Sequence, residues 1–286
     1  MIEAFEMERV SPTDNLRVAV VGPEKNGKST LCSTAPTKES EATLFLDFDQ
    51  RANAVAGKKR VYAITFKDPG GTQMPTSVSD TMSILTCLEA SLNLNKIIIN
   101  GKELFPGASP DTKIVNVVLD SGASLGKCVG DFEMYNNKDL GREIKVGPGF
   151  SVRIQGGFDA WNAETKTVEG ILMRLFALPI NVYMTLHETS EHADNSTSKD
   201  PKYTGKITVF PERYSRLLRY FNEVWRVKLT NVNGRYLPRV YPLPDYSFDA
   251  ATTMLLDPVE EPSIEAMIAK HKIKSGQTKV LSAGTK

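Results

Sequence analysis

Cysteine is scarce in this chain, and neither sign of charge dominates it. The 286 residues include three cysteines, Cys32, Cys87 and Cys128, which are widely spaced and form no C-x-x-C pair. An odd number at such spacings argues against a disulfide framework and against a zinc site, and it fits a reducing compartment best. The formal net charge is +1, so no global field favours nucleic acid or an anionic membrane as a partner. Any such surface would have to be local.

Long hydrophobic runs are missing as well. No stretch approaches the roughly 18 consecutive apolar residues of a membrane-spanning helix. Residues 1–6 are acidic and lack the basic and then apolar layout of a signal peptide. We therefore expect a cytoplasmic protein without a membrane partner. With 41% hydrophobic and 24% charged residues, the chain can bury a full core as one large domain or as one domain with insertions.

A glycine-rich motif lies between an apolar run at 18–21 and a helix-compatible stretch. Its sequence, GPEKNGKST, fits the phosphate-binding pattern G-x-x-x-x-G-K-[S/T]. In such a loop the backbone N–H groups turn toward a phosphate, Lys28 reaches the β and γ oxygens, and Ser29 offers its hydroxyl to Mg²⁺. The motif therefore predicts a nucleoside triphosphate site made of Gly22, Pro23, Glu24, Lys25, Asn26, Gly27, Lys28, Ser29 and Thr30.

Short apolar strands alternate with helical patterns along the chain. Strands are predicted at 16–21, 42–48, 60–65, 114–119 and 180–186, and helices at 28–34, 78–93 and 165–178. This alternation is typical of an α/β fold with a mostly parallel sheet and flanking helices. Farther on, a short helix at 214–221 and a final helix at 263–272 are predicted. Strands at 224–230 and 235–243 around the turn at 231–234 would add an antiparallel C-terminal hairpin.

Two of the predicted strands end in carboxylates. Asp120 follows the strand at 114–119, and a carboxylate at such a place holds Mg²⁺ through its water shell opposite the phosphate loop. Asp47 and Asp49 follow one another on one face of the strand at 44–49, because strand side chains alternate. One of them could activate or orient the water that attacks a γ-phosphate. Alternatively, Asp120 could cap the next segment and one of the pair could be a solvated strand end.

The segments 22–31, 46–49 and 118–125 together resemble the ATPase core of RecA-type recombinases, and they come in that family's order. The similarity spans about residues 16–243 and is greatest to the small phage-encoded RecA-like ATPases of recombination and single-strand annealing. It implies a RecA-like P-loop fold, ATP and Mg²⁺ as cofactors, a homo-oligomer and, for a phage protein, the host cytoplasm. Residues 1–274 would form one such domain, with insertions at about 121–157 and 188–207, and 275–286 would be a flexible tail.

The resemblance also implies roles for individual residues. Lys28 and Ser29 would bind phosphate and Mg²⁺, and Asp120 would be the carboxylate on the metal side. Asp49 stands where the family usually has a catalytic glutamate. Because aspartate is one methylene shorter, hydrolysis could be slow or absent. His187 ends the strand that in this family carries a polar γ-phosphate sensor, and its imidazole would couple the nucleotide state to the segment that follows.

In the family, the segments after these two strands face DNA, so single-stranded DNA is the expected partner. Here they are 121–157 and 188–207, which are rich in glycine or serine and predicted to be mobile surface loops. The second is not a basic stripe, because four carboxylates accompany its lysines. Its lysines are Lys199, Lys202 and Lys206, and the aromatic side chains that could stack on bases in the two loops are Phe132, Tyr135, Phe150 and Tyr203.

Positive charge accumulates instead between residues 213 and 239. One of these side chains, Arg235 or Arg239, could reach the nucleotide of a neighbouring subunit, as arginine fingers do in this superfamily. The full set is Arg213, Arg216, Arg219, Arg226, Lys228, Arg235 and Arg239.

Other functions remain open at this point. A small-molecule kinase would need a lid, and 121–157 could supply one with Arg142 and Arg153. A nucleotide-binding interaction protein without turnover is compatible with the aspartate at position 49. A small GTPase is disfavoured, because the segment at 137–140 does not match the guanine-reading N-K-x-D motif.

Overall fold

The computed structural model describes residues 15–68, 74–147, 150–155, 157–192 and 203–276. The strands of the described residues are β1 (Arg17–Gly22), β2 (Glu41–Asp47), β3 (Val61–Thr65), β4 (Ile98–Ile99), β5 (Lys102–Glu103), β6 (Lys113–Asp120), β7 (Gly141–Gly147), β8 (Phe150–Gln155), β9 (Asn181–His192), β10 (Tyr203–Phe210), β11 (Glu223–Val232) and β12 (Arg235–Tyr241). The α-helices are α1 (Lys28–Cys32), α2 (Ser77–Ala90), α3 (Gly122–Asn136), α4 (Gly157–Phe176) and α5 (Ile264–Lys274).

Eight strands form one sheet, and most of its pairs are parallel. The order is β12-β11-β1-β9-β6-β2-β3, with β10 paired to β9. The pairs β1–β11, β1–β9, β9–β6, β6–β2 and β2–β3 are parallel, whereas β11–β12 and β9–β10 are antiparallel. The α/β fold of a RecA-like P-loop NTPase, including the antiparallel C-terminal hairpin, is thereby confirmed. Six strands, β1, β2, β3, β6, β9 and β11, therefore point the same way. Their carboxyl ends meet at one edge, where ligands of such sheets bind.

Two apolar layers sandwich the sheet, which explains why its strands are hydrophobic without alternation. Alternate residues of β1 enter different cores: Val18 and Val20 pack on the side of α1 and α5, and Ala19 and Val21 pack on the side of α2, α3 and α4. The short helix predicted at 214–221 is a 3-10 helix, Glu212–Tyr220. The turn between β11 and β12 has positive φ at Asn233 and Gly234, as the favoured two-residue hairpin turn requires.

The prediction of a mobile loop at 121–157 is wrong. Its first half is α3, and its second half contains the antiparallel hairpin β7–β8. The helix is rich in glycine, which lowers helix propensity by about 1 kcal/mol per residue. Tertiary packing overrides that cost, because a Cβ on Gly122 would overlap Met184 and a Cβ on Gly126 would overlap the Tyr214 hydroxyl.

The described parts of the segment at 188–207, residues 188–192 and 203–207, are strands and not the loop that we predicted. Residues Glu188 to His192 continue β9, and β10 returns beside them with a register shift between Tyr203 and Ile207. Lys199 and Lys202 lie outside the described residues, and Lys206 is in β10. Within the part of the chain that the structure describes, no helix combines the length and apolar character needed to cross a membrane.

Candidate functional site

The phosphate-binding motif forms the turn between β1 and α1, at the carboxyl edge of the sheet. Lys28 opens α1, and its side chain folds back over the turn: Nζ donates to the carbonyl oxygens of Gly22 at 2.8 Å and Pro23 at 2.6 Å. Burial lowers the pKa of Lys28, while the carboxylates of Asp120, Glu188, Asp49 and Glu24 oppose this shift. The ammonium is therefore held in the turn by two backbone carbonyls, with carboxylates around it.

The two glycines of the motif are explained by how closely the chain approaches itself. Gly22 lies against β11, where an added Cβ would overlap the carbonyl oxygen of Val227. Gly27 precedes α1 with φ of 85°, in the left-handed region that favours glycine. A Cβ on Gly27 would lie 3.6 Å from Cβ of Pro238 in β12. The phosphate loop is thus packed directly against the C-terminal hairpin.

Asp120 is the last residue of β6 and faces this loop. Its Oδ1 accepts a hydrogen bond from Thr185 Oγ1 at 2.6 Å. Burial raises the pKa of Asp120, hydrogen bonds from Thr185 and Ser29 lower it, and the nearby Asp49 and Asp47 raise it further. The buried carboxylate therefore lacks full compensation by the protein. Thr185 has no counterpart in our sequence analysis, although the two-residue period of β9 places it on the same face as His187.

Asp47 and Asp49 have different surroundings, and these show which of the two aspartates lines the cleft. Asp47 is 1% exposed, and it accepts from the backbone N–H groups of Arg51 and Ala52 and from Thr65 Oγ1 at 2.8 to 3.0 Å. It shapes the turn after β2 and does not line the cleft. Asp49 lies beyond the strand, and its Oδ1 accepts from Ser121 Oγ at 3.0 Å and from Ser124 Oγ.

His187 pairs with Gly22 across β9 and β1, at the start of the phosphate loop. Its Nδ1 is buried and has no hydrogen-bond partner among the described residues. Burial lowers the pKa of His187, and the cation of Lys28 lowers it further, against the opposing effect of Asp49. The imidazole is therefore held neutral near pH 7, when one ring nitrogen donates and the other accepts.

These side chains enclose one cleft of about 220 Å³ at the carboxyl edge. The cleft brings together Lys28, Ser29, Asp49, Asp120 and His187. Its complete lining is Lys25, Asn26, Gly27, Lys28, Ser29, Thr30, Asp49, Arg51, Ala54, Asp120, Thr185 and His187. Arg51 and Ala54 follow Asp49 in the turn after β2, and no sequence motif pointed to them.

A family model described as an AAA domain, AAA_24, matches residues 14–254. The chain belongs to this family of AAA domains. The match includes β1, the phosphate loop, β6 and most of the C-terminal hairpin region, so this AAA domain contains every residue of the cleft. The family is one of P-loop ATPases, which generally use ATP and Mg²⁺.

Comparison with solved structures returns, among others, the flagellar accessory protein FlaH from Methanocaldococcus jannaschii. The two share 9% sequence identity with a TM-score of 0.37, over 86% of this chain and 84% of that protein. A search of curated proteins gives no match.

Two of the side chains considered for DNA stacking can be placed. Phe132 is partly buried against the larger apolar core, whereas Tyr135 is exposed on the last turn of α3. Phe150 lies in β8 and Tyr203 in β10.

The basic residues between 213 and 239 are largely paired within the chain. Arg239 donates to Glu261 at 2.7 Å, whereas exposed Arg235 has no partner among the described residues. The other ion pairs of this set are Arg213–Glu164, Arg226–Glu188 and Lys228–Asp245. Of the two arginines considered for action on a neighbouring subunit, only Arg235 is therefore free in the described part of the chain.

Proposed function

We propose that this AAA domain binds ATP with Mg²⁺, hydrolyses it slowly, and couples the nucleotide state to single-stranded DNA in phage recombination or replication. The observation that carries the ATPase part is the convergence of Lys28, Asp49, Asp120 and His187 on the cleft beside the phosphate loop. Four polar side chains from four different chain segments meet there, which a merely structural loop would not require.

The charges of the cleft fit a magnesium nucleotide. Among the described residues, the Lys28 ammonium donates to two backbone carbonyls and to no carboxylate, so it is available to phosphate oxygens after a small movement of its flexible stem. Ser29 and Asp120 would hold Mg²⁺, which supplies neutralisation of negative charge on the phosphates when bound. The raised pKa of Asp120 reflects an excess of carboxylate in a desolvated place, which a divalent cation would relieve.

Asp49 is the residue that we propose to activate water. Two serine hydroxyls at the start of α3 orient its carboxylate, so a proton acceptor is held at the wall of the cleft. The shorter side chain, compared with glutamate, is the reason for expecting slow turnover. His187 would donate to a γ-phosphate oxygen, because its neutral ring carries a buried nitrogen that no group of the described residues satisfies.

The coupling to DNA is proposed along β9. A second cleft of about 460 Å³ shares Asp49, Arg51 and His187 with the first and extends to Glu188 and Thr189. Glu188 accepts from Arg226 at 2.8 and 3.1 Å, so the strand beyond His187 is tied to β11. A change at the nucleotide would therefore reach the β9–β10 extension, where the family resemblance locates a DNA-facing segment. Because that segment has mixed charge, useful affinity would require several subunits of a homo-oligomer.

The test measures phosphate release with ATP and Mg²⁺, alone and with single-stranded DNA or small hydroxyl acceptors. We expect slow release that single strands accelerate. Acceleration by a small acceptor would instead support a kinase, and binding without release would support an interaction protein without turnover. Neither alternative is favoured by a particular contact, and the segment considered as a kinase lid begins with the packed helix α3.

DNA binding itself is tested by fluorescence anisotropy with a labelled single strand, with and without an ATP analogue, over a salt series. Replacing Lys199, Lys202 and Lys206 together by alanine should weaken binding and flatten its salt dependence, because fewer counterions are released. Lys58, Lys59 and Lys96, replaced together, provide a control of equal charge. If no condition gives DNA binding, the proposed recombination function is wrong, whereas the proposed ATPase activity is unaffected.

A further inference from the structure

The C-terminal hairpin β11–β12 extends past the phosphate loop. β11 runs parallel to β1, with Val21 opposite Arg226, so its residues from 227 onward lie beyond the end of β1. The hairpin contacts the loop at two places, since Gly22 abuts the Val227 carbonyl and Gly27 approaches Pro238. One face of the hairpin therefore borders the phosphate loop, whose residues 25–30 line the nucleotide cleft.

The residues on that face can be read from the strand register. Val227 pairs with Val240, Leu229 with Pro238, and Asn231 with Tyr236. Side chains at alternate positions share a face, and Val227 and Val240 both belong to the core under α1 and α5. Leu229, Pro238 and Tyr236 therefore lie on the same side as α1 and the phosphate loop.

This face carries exposed apolar side chains where it leaves the core, and Asn231, opposite Tyr236, is its polar member. Leu229 is 44% exposed and Tyr236 is 70% exposed, and none of the described side chains hydrogen-bonds to the Tyr236 hydroxyl. Tyr236 lies two residues beyond Pro238, or about 7 Å along the strand. An aromatic ring is thus placed about one side-chain length from the loop that holds the phosphates.

We propose that Tyr236, with Leu229 beside it, is the platform on which the base of the bound nucleoside triphosphate stacks. This inference rests on the proposed function, because it requires a nucleotide whose phosphates occupy the loop at 22–30. The position of the hairpin fits this role. Asp49 follows β2 and Asp120 ends β6 on one side of β1, and the hairpin lies on the other side. A ligand with phosphates at one end and a flat π system at the other spans this arrangement.

The experiment compares the affinities of ATP and inorganic tripolyphosphate, which lacks the base, by isothermal titration calorimetry with Mg²⁺. In the wild type, ATP should bind more tightly than tripolyphosphate. Tyr236→Ala should weaken ATP binding on the order of 10-fold, as expected for one base–aromatic stack, and leave tripolyphosphate unchanged. Tyr236→Phe, which keeps the ring, should retain the wild-type affinity. Tyr246→Ala is the matched control, because Tyr246 is 100% exposed and follows Asp245, which pairs with Lys228 of the opposite hairpin face.

Several outcomes would overturn the platform. One is an ATP affinity that is unchanged in Tyr236→Ala. Another is an equal loss of affinity for ATP and for tripolyphosphate, which would show that the substitution disturbs the phosphate loop. A changed sedimentation coefficient with unaltered ATP affinity would show that another copy of the chain covers this face. Thermal unfolding of each variant verifies that it is folded. If the wild type binds neither ligand, the proposed function fails; if it binds both equally, only the platform fails.

Discussion

Two groups of buried ionisable side chains in this AAA domain are built in opposite ways. In the first, Glu164 of α4 is 1% exposed. Both of its carboxylate oxygens accept from Arg213 at 2.7 Å, and Oε1 also accepts from the Tyr214 hydroxyl at 2.8 Å. In the second, the nucleotide cleft, Asp120 has a raised pKa and His187 leaves a buried nitrogen without a described partner. The first group is satisfied by the fold, whereas we propose that a ligand completes the second.

The difference shows how to tell structural from functional burial of charge. A buried ion pair with all its hydrogen bonds is a packing element, and removing one partner is costly. A cleft whose groups remain unsatisfied stores free energy that ligand binding releases, so its substitutions should change affinity and turnover more than stability.

The largest effect is expected at the satisfied group. Glu164→Ala should lower the free energy of unfolding by about 4 kcal/mol, because it leaves a buried tyrosine hydroxyl and a partly buried guanidinium without their acceptor. Glu89→Ala is the matched control: it breaks another bidentate pair, with Arg174, but at the surface, and should cost at most about 1 kcal/mol. Urea unfolding measures both. Equal losses of unfolding free energy in the two variants would contradict the difference that we expect between a buried and a surface ion pair.

At the cleft, Lys28→Ala should weaken ATP binding by about 3 kcal/mol, or roughly 100-fold, through lost charge-assisted hydrogen bonds. The fold should persist, because burial already disfavours the ammonium in the absence of ligand. Calorimetry with ATP and Mg²⁺ measures the affinity, and circular dichroism verifies the fold. Lys38→Ala, at an exposed lysine, serves as the control. An ATP affinity that is unchanged in Lys28→Ala would show that the phosphate loop does not bind ATP.

Asp49→Asn should preserve ATP binding and slow phosphate release about 100-fold, since only the proton acceptor is lost. The serines that donate to Asp49 can still donate to the amide oxygen, so the loop should keep its shape. Asp111→Asn provides an exposed control. Equal turnover in the wild type and Asp49→Asn would move water activation elsewhere, and Asp47 is a poor substitute because its oxygens already accept from the turn after β2.

The smallest effect sharpens the comparison most. Because the folded-state pKa of Asp120 is raised, its ionised form costs the folded protein free energy above that pKa, and the cost disappears as the pH falls through it. Asp120→Asn should therefore stabilise the nucleotide-free protein at pH 8 by on the order of 1 kcal/mol. The advantage should shrink as the pH is lowered from 8 through the raised pKa, so the second measurement is made at about pH 4, near the ordinary pKa of aspartate.

Urea unfolding at the two pH values, without nucleotide, checks this prediction, with Asp111→Asn as the control. The same variant should lose the stabilisation that ATP with Mg²⁺ confers on the wild type. A variant that is less stable at pH 8 would show that Asp120 belongs with the satisfied charges and not with the ligand site.

Local patterns in the sequence were enough to locate most of the sheet. The hydrophobic runs that became β1, β2, β3, β6 and β9 were predicted to within one or two residues at their starts, because strands buried on both faces must be continuously apolar. Helix α3 was missed, since its glycines read as a loop. The four-residue spacing of Gly122, Gly126 and Gly130, interleaved with Leu125 and Val129, was the signal that could have identified it.

The sequence by itself determined the phosphate loop, the carboxylate at the end of β6 and the α/β alternation, because each depends on residues that are adjacent in the chain or on a short period. Only the tertiary structure decided which aspartate of the pair lines the cleft, that Thr185 supports Asp120, and that the hairpin bearing Tyr236 lies against Gly27. Those relations join residues that are far apart in sequence, and they follow from strand order and close packing, which no local pattern contains.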